Sequence, residues 1–194
     1  KCMLSILEIQ KAIKELNDSD PIMKEDPLKV RMGLNSGDVI LCDIGAAKAR
    51  VDLTMIGDAV NIAARLETAC SQYFIDNLVS DSIAKDARGQ FSIRIIDRIK
   101  VYGKETPVAV YEIINEVENT SQEENDLIKH FEKGFEAYTK GKFNAGLKHF
   151  QKSKPLEINR GYPSTPSDVY ISRCKMLEKS SPENWDGTWS LETK

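Results

Sequence analysis

A chain of 194 residues, 41% of them hydrophobic, can bury one medium core or one core with a small appendage. Its 27 basic and 30 acidic residues leave a net charge of -3, so no broad basic footprint directs it to nucleic acid or anionic lipid. The four cysteines, Cys2, Cys42, Cys70 and Cys174, form no C-x-x-C pair; neither a zinc site nor a disulfide framework is indicated, and reduced, buried thiols in a cytoplasmic protein are expected.

No apolar run is long enough to span a bilayer, and no stretch of these residues reads as a signal peptide. The chain starts at Lys1, within a helical pattern, and reads as part of a longer protein carrying an upstream sensor domain. The longer protein is compatible with a membrane tether elsewhere.

Ile6, Ile9, Ile13 and Leu16 recur at helical spacing and predict an amphipathic helix ending near Asn17-Asp18. Pro21 and Pro27 bracket an acidic connector, 18–26, expected to hold neither a continued helix nor a central strand. Val30, Met32 and Leu34 then alternate with Lys29, Arg31 and Gly33, Ser36-Gly37-Asp38 supplies turn chemistry, and Val39-Ile40-Leu41 resumes the apolar run. This predicts two strands around a turn, 28–36 and 39–44.

A short extended segment, Val51 to Ile56, stops at Gly57-Asp58, with Asp58 expected as the N-cap of the next helix. On that helix Asn61 and Arg65 stand four apart, sharing one face a turn from each other. In isolation such a pair is an ordinary first-turn amide and a solvated charge.

Asn77 to Ser80 predicts a short strand before a helix capped by Ser80 or Asp81. Phe91, Ile93 and Ile95 begin a strand expected over 92–101, and Val108 to Ile113 its antiparallel partner over 108–114. Glu116 to Asp126 is polar and without apolar periodicity, which marks a domain boundary.

Beyond it Leu127, Phe131, Phe135 and Tyr138 fall at helical spacing, Gly141-Lys142 interrupts, and Phe143, Leu147 and Phe150 resume, predicting two antiparallel helices. Pro163, Pro166 and the run from Val169 to Leu177 predict a loop and a final helix; Trp185 and Trp189 are expected to anchor the tail by burial. His130 and His149 lack further ligands at metal spacing and read as surface or half-buried residues.

The ordered pattern Arg31-x-Gly33, Ser36-Gly37, Gly45, Asp52-x-Thr54-x-Ile56-Gly57-Asp58-x-Val60-Asn61-x-Ala63-x-Arg65-Leu66-Glu67 closely resembles the class III nucleotidyl cyclases, the adenylate and guanylate cyclase family. The resemblance implies an α+β, ferredoxin-like fold with a largely antiparallel sheet and helices on one face, followed by a small all-α extension. It divides the chain into the C-terminal part of a cyclase domain (1–117), a linker (118–126) and a helical unit with a Trp-containing tail (127–194). Gly134, Tyr138, Gly141, Phe143 and Phe150 resemble one tetratricopeptide unit, although Gly146 stands where Ala is usual.

By the same resemblance Asn61 orients the substrate ribose and Arg65 stabilises charge on the α-phosphate, as a permanently charged, planar guanidinium suits phosphoryl transfer. Thr54 matches the base-reading position and leans towards ATP. Lys104 matches the region of a phosphate-contacting lysine, with Lys100 a weaker candidate, and Tyr102 departs from the Lys that many relatives carry there. The family's two Mg²⁺ or Mn²⁺ ions are held by two aspartates on elements N-terminal to the matched region, so this chain is expected to contribute no metal ligand and to be inactive alone.

The activity implied is conversion of ATP to 3′,5′-cyclic AMP and pyrophosphate at the interface of a homodimer formed through cyclase domains. A guanylate cyclase, and a non-catalytic nucleotide-sensing or dimerisation module, are the alternatives. A helical scaffold is a third, and it requires an exposed groove along Phe131, Tyr138 and Phe150.

Overall fold

The structure, a computed structural model, describes residues 1–44, 52–99, 107–180 and 185–189. In chain order it contains α1 (Cys2–Ser19), α2 (Pro21–Glu25), β1 (Met32–Leu34), β2 (Ile40–Ile44), β3 (Asp52–Ile56), α3 (Asp58–Tyr73), β4 (Asn77–Ser80), α4 (Asp81–Ala87), β5 (Phe91–Ile99), β6 (Val108–Glu116), α5 (Gln122–Thr139), α6 (Phe143–Ser153) and α7 (Pro166–Ser180). A four-stranded sheet has the order β1-β4-β6-β5, and β2 and β3 form a separate two-stranded ribbon. The fold is α+β: β1 runs parallel to β4, while the β4–β6 and β5–β6 pairs are antiparallel.

Two local expectations are corrected. The segments 28–36 and 39–44 do not pair with each other, because β1 takes β4 as its partner and β2 takes β3. Only Met32 to Leu34 enter the sheet; upstream, the Asn17 side chain accepts from the Leu28 amide at 2.9 Å and donates to its carbonyl at 3.0 Å, replacing a ladder partner. As expected, α1 does not continue through the acidic connector, where Asp20 is extended; a new short helix, α2, starts because Pro21 suits a helix's first position and the Asp20 carboxylate caps the Ile22 and Met23 amides at 2.8 and 3.2 Å.

Helices cover both faces of the sheet, not one. Leu78 and Val79 are neighbours on β4 and point to opposite sides. Leu78 joins Leu66 and Tyr73 of α3, Phe131 and Tyr138 of α5, Phe150 of α6 and Tyr170 of α7, together with Ile96, Ile99 and Val110. Val79 joins Ile6 of α1, Ala84 and Ala87 of α4, Phe91 and Ile113. The rings of Phe131, Tyr138 and Phe150 are therefore inside the core, which removes the groove that a scaffold reading needs.

The helices α5 and α6 meet at two glycines. A Cβ on Gly134 would lie 2.9 Å from the Phe150 ring, and one on Gly146 would lie 3.1 Å from the Gly134 carbonyl oxygen. This close approach accounts for Gly at position 146. Of the cysteines, Cys70 and Cys174 are buried, whereas Cys2 is exposed and Cys42 intermediate, since α1 and the ribbon present those side chains outward. Among the described residues no helix is long and apolar enough to cross a membrane.

A buried ionic network ties the segment after α6 to the sheet. The Arg94 guanidinium, fully buried on β5, donates to Glu112 of β6 at 2.7 Å and in a fork to Glu157 at 3.0 and 2.9 Å. Burial opposes its charge, yet Glu112 and Glu157 hold its pKa above the usual arginine value. Replacing Arg94 with Met leaves two carboxylates without their shared cation, and urea unfolding is expected to show a loss of about 3–5 kcal/mol.

His149 of α6 lies 6.0 Å, ring to ring, from His130 of α5. Desolvation first, then His130, Lys133 and Lys152, hold its pKa below the usual 6.5. The unfolded chain then binds a proton that the folded chain refuses, so stability is lost as pH falls below about 6.5. Unfolding midpoints measured across that range should fall less steeply for His149→Gln.

Candidate active site

The helix carrying Asn61 and Arg65 is seated on the sheet through backbone, because small residues let it come close. A Cβ on Gly33 of β1 would lie 2.6 Å from the Glu67 amide nitrogen and closer still to the Ala63 carbonyl oxygen. A Cβ on Gly37 would lie 3.0 Å from that of Ala59, and one on Gly57 2.9 Å from the Asp38 carbonyl oxygen. These glycines set β1, the following turn and the start of α3 in direct contact.

Polar side chains fix the same contact at both sides of Gly33. The Asn35 amide donates to the Ala59 carbonyl at 3.1 Å, and the Arg31 guanidinium meets the Glu67 carboxylate at 2.7 Å. The Gly57 carbonyl accepts from the amides of Val60 and Asn61 at 3.1 and 3.3 Å. Gly57, rather than Asp58, is the N-cap; Asp58 occupies the first turn, where a carboxylate favours the helix dipole.

The buried stripe of α3 is Leu66, Ala69, Cys70 and Tyr73. Asn61 and Arg65 are exposed and stand four residues, about 6 Å of helical rise, apart on one face of α3. Thr54 is half-buried on β3, opposite Cys42 of β2, three residues before Gly57. The strand, the glycine turn and the first two turns of the helix thus bring Thr54, Asn61 and Arg65 into one continuous piece of structure. Lys104, with Lys100, Tyr102 and Gly103, lies outside the described residues.

Chemically, this arrangement offers a hydroxyl, an amide and a permanent planar cation, all able to contact a nucleotide. Among the described residues no three His, Cys, Asp or Glu side chains converge as a metal-holding group. In the acidic connector before β1, Asp18 pairs with Lys14 at 2.5 Å and Asp20 caps α2. The described residues therefore do not compose a two-metal centre.

The model of the adenylate and guanylate cyclase catalytic domain matches residues 1–115. This chain belongs to that family. It is 30% identical over 148 residues to the terminal-differentiation-specific adenylate cyclase of Dictyostelium discoideum, a match covering 74% of this chain and 7% of that protein. To the adenylate cyclase of Anabaena cylindrica it is 32% identical over 112 residues, covering 54% of this chain and 22% of the relative. This cyclase-family chain therefore spans less than a quarter of either relative.

Among solved structures, the adenylyl cyclase CyaB of P. aeruginosa superimposes with a TM-score of 0.48 at 27% identity, covering 59% of this chain and 58% of that one. The guanylate cyclase domain of RhGC from Catenaria anguillulae, in complex with GTP, gives 0.45 at 24% identity over 57% and 56% of the two chains.

Two sets of residues that support the site carry no mark in the sequence that assigns them a role. Arg31 and Glu67 stand within the family-like pattern, but their ion pair joins residues 36 apart. Tyr73, Asp97 and Arg173 come together from α3, β5 and α7, and no local spacing connects them. Substituting Gly33 with Ala forces backbone against backbone, and thermal unfolding is expected to show a loss of about 1–3 kcal/mol or more.

Proposed function

We propose that this chain supplies the ribose- and phosphate-contacting part of an adenylate cyclase site, which converts ATP to 3′,5′-cyclic AMP and pyrophosphate. The observation that carries the reading is the exposed pair Asn61 and Arg65, one turn apart on a helix locked to the sheet by Gly33, Asn35 and Glu67. The adenylate cyclases among its relatives, and the hydroxyl of Thr54 as the base-reading group, favour ATP over GTP.

In this mechanism the Asn61 amide hydrogen-bonds the ribose and holds the 3′-oxygen in line with the α-phosphorus. The Arg65 guanidinium donates to the α-phosphate oxygens, where charge builds as the 3′-oxygen attacks and pyrophosphate leaves. Its value lies in being preorganised: the helix is fixed before the nucleotide binds. Lys104 is a further candidate for the leaving phosphates. Mg²⁺ or Mn²⁺ is the cofactor the family implies, and its ligands are assigned to residues outside this chain, so no step is derived through the metal here.

A homodimer is part of the proposal. On the β2–β3 ribbon Ile40, Leu41, Leu53, Met55 and Ile56 are each more than half exposed. Ile40 pairs with Ile56 and Leu41 with Met55, so successive pairs place apolar side chains on both faces. A two-stranded ribbon without a core of its own gains stability only by packing on something else. A second copy supplies matching apolar surface, and two-fold symmetry would give two equivalent sites. The α5–α6 pair is read as a tetratricopeptide-like hairpin used for docking within the chain.

The test is cyclic nucleotide production by the full-length protein with Mn²⁺ and either ATP or GTP, comparing wild type with Arg65→Ala. Cyclic AMP from ATP, with turnover reduced about 100- to 1,000-fold by the substitution, is the expected result. The 194-residue chain assayed alone is expected to give no product. Cyclic GMP from GTP would reassign Thr54, and no product from either nucleotide would put a nucleotide-binding module ahead.

A further inference from the structure

We propose that Arg173 and Tyr73 are positioning residues for the active-site helix: through Asp97 they fix the rotation of α3 and hence the aim of Asn61 and Arg65. The proposal rests on the reading above, in which those two side chains contact the nucleotide.

The close seat of α3 on β1 is a glycine flanked by the Asn35–Ala59 and Arg31–Glu67 contacts, and the buried Leu66, Ala69 and Cys70 add apolar packing without direction. Tyr73, in the helix's last turn, supplies a directional anchor. Its hydroxyl donates to the fully buried Asp97 carboxylate at 2.5 Å, and the same oxygen accepts from the Arg173 guanidinium at 2.7 Å. The other Asp97 oxygen accepts from the Arg98 amide at 2.6 Å. Arg173 is held in turn by aromatic faces: its guanidinium carbon lies 5.4 Å from the Tyr73 ring centre and 5.0 Å from those of Tyr170 and Trp189.

A second grip acts just beyond the helix. Phe74 ends α3 in the left-handed conformation, at φ 59°. Two residues later the Asp76 carboxylate meets Arg160 at 3.2 Å and accepts from the Tyr162 hydroxyl at 2.9 Å. Each grip includes residues beyond 150, Arg173 acting through Asp97 in the first and Arg160 and Tyr162 in the second, so the C-terminal segment helps hold the end of α3 opposite to Asn61. Because an α-helix turns as one body, a rotation released at Tyr73 is transmitted to Arg65, eight residues or about 12 Å away. Displacements on the 1 Å scale are enough to cost large factors in rate.

The experiment uses the full-length protein with ATP and Mn²⁺, well below every unfolding midpoint. Tyr73→Phe removes only the hydroxyl, Arg173→Met removes the cation, and Arg173→Lys restores the charge without the planar fork. Phe91→Leu, on the opposite face of the sheet, is the stability-matched control. Expected is a fall in kcat of about tenfold for Tyr73→Phe and more for Arg173→Met, with KM within about twofold, partial recovery in Arg173→Lys, and wild-type kcat in the control. Backbone hydrogen exchange over residues 58–66 should quicken in Tyr73→Phe and remain unchanged in the control.

Wild-type kcat and exchange in Tyr73→Phe, with Arg65→Ala inactive, would overturn the positioning role alone. A kcat loss that merely follows the loss of stability, control included, would overturn it as well. Full turnover by Arg65→Ala would remove the catalytic reading of the helix, and this proposal with it.

Discussion

The Arg94 guanidinium sits at zero exposure in the sheet, and a charge in that position persists only if its partners are built in. One partner, Glu112, is its cross-strand neighbour on β6; the other, Glu157, belongs to the segment after α6. Glu157 is itself oriented by the amide and hydroxyl of Ser167 at 3.1 and 2.6 Å, so the start of α7 is held by the same carboxylate. The Phe131 ring covers the guanidinium at 4.7 Å from its centroid. Sheet, α5 and α7 are thus bound to one cation, and none of them is completed without the others.

From this centre the network extends towards the candidate active site. Arg160 bonds to the second oxygen of Glu112 at 2.5 Å and also reaches Asp76, which lies just after α3. Burial raises the Asp76 pKa, and Arg160 and Tyr162 partly offset that penalty. On the same side Lys29 donates to the Gly161 carbonyl at 2.9 Å and lies over the Tyr162 ring, linking the segment before β1 to the same loop. Residues beyond the matched family region therefore buttress the strand and the helix on which the proposed site is built. That makes the C-terminal helical segment a structural part of the cyclase sheet's environment in this chain.

Much of this was legible locally. Asn77 to Ser80, the long strands β5 and β6 and the helices α3, α5, α6 and α7 follow from apolar periodicity and punctuation by glycine and proline. What failed locally did so for identifiable reasons. Alternation around Ser36-Gly37-Asp38 is the same whether the flanking strands pair with each other or with distant partners, and here β1 pairs with β4. The proline in the acidic connector does mark a break in α1, and with Asp20 before it Pro21 also starts a new short helix. The two-sided cover of the sheet was hidden because a strand such as β4, buried at every residue, gives no alternation to read.

By itself the sequence determined the residue chemistry: a hydroxyl, an amide and a guanidinium at fixed spacings around Gly57, on a strand and the helix that follows it. Asn61 and Arg65 lie about one helical turn apart and Thr54 is on the strand just before their helix, so local geometry relates all three. Tertiary structure alone decided what holds that helix in place. Gly33 meets Ala63 and Glu67 across thirty residues or more, and Asp97 meets Arg173 across 76, contacts that no local period encodes. The first exists because only glycine lets the two backbones approach, the second because the buried Asp97 charge demands a partner from a segment that reaches it only on folding.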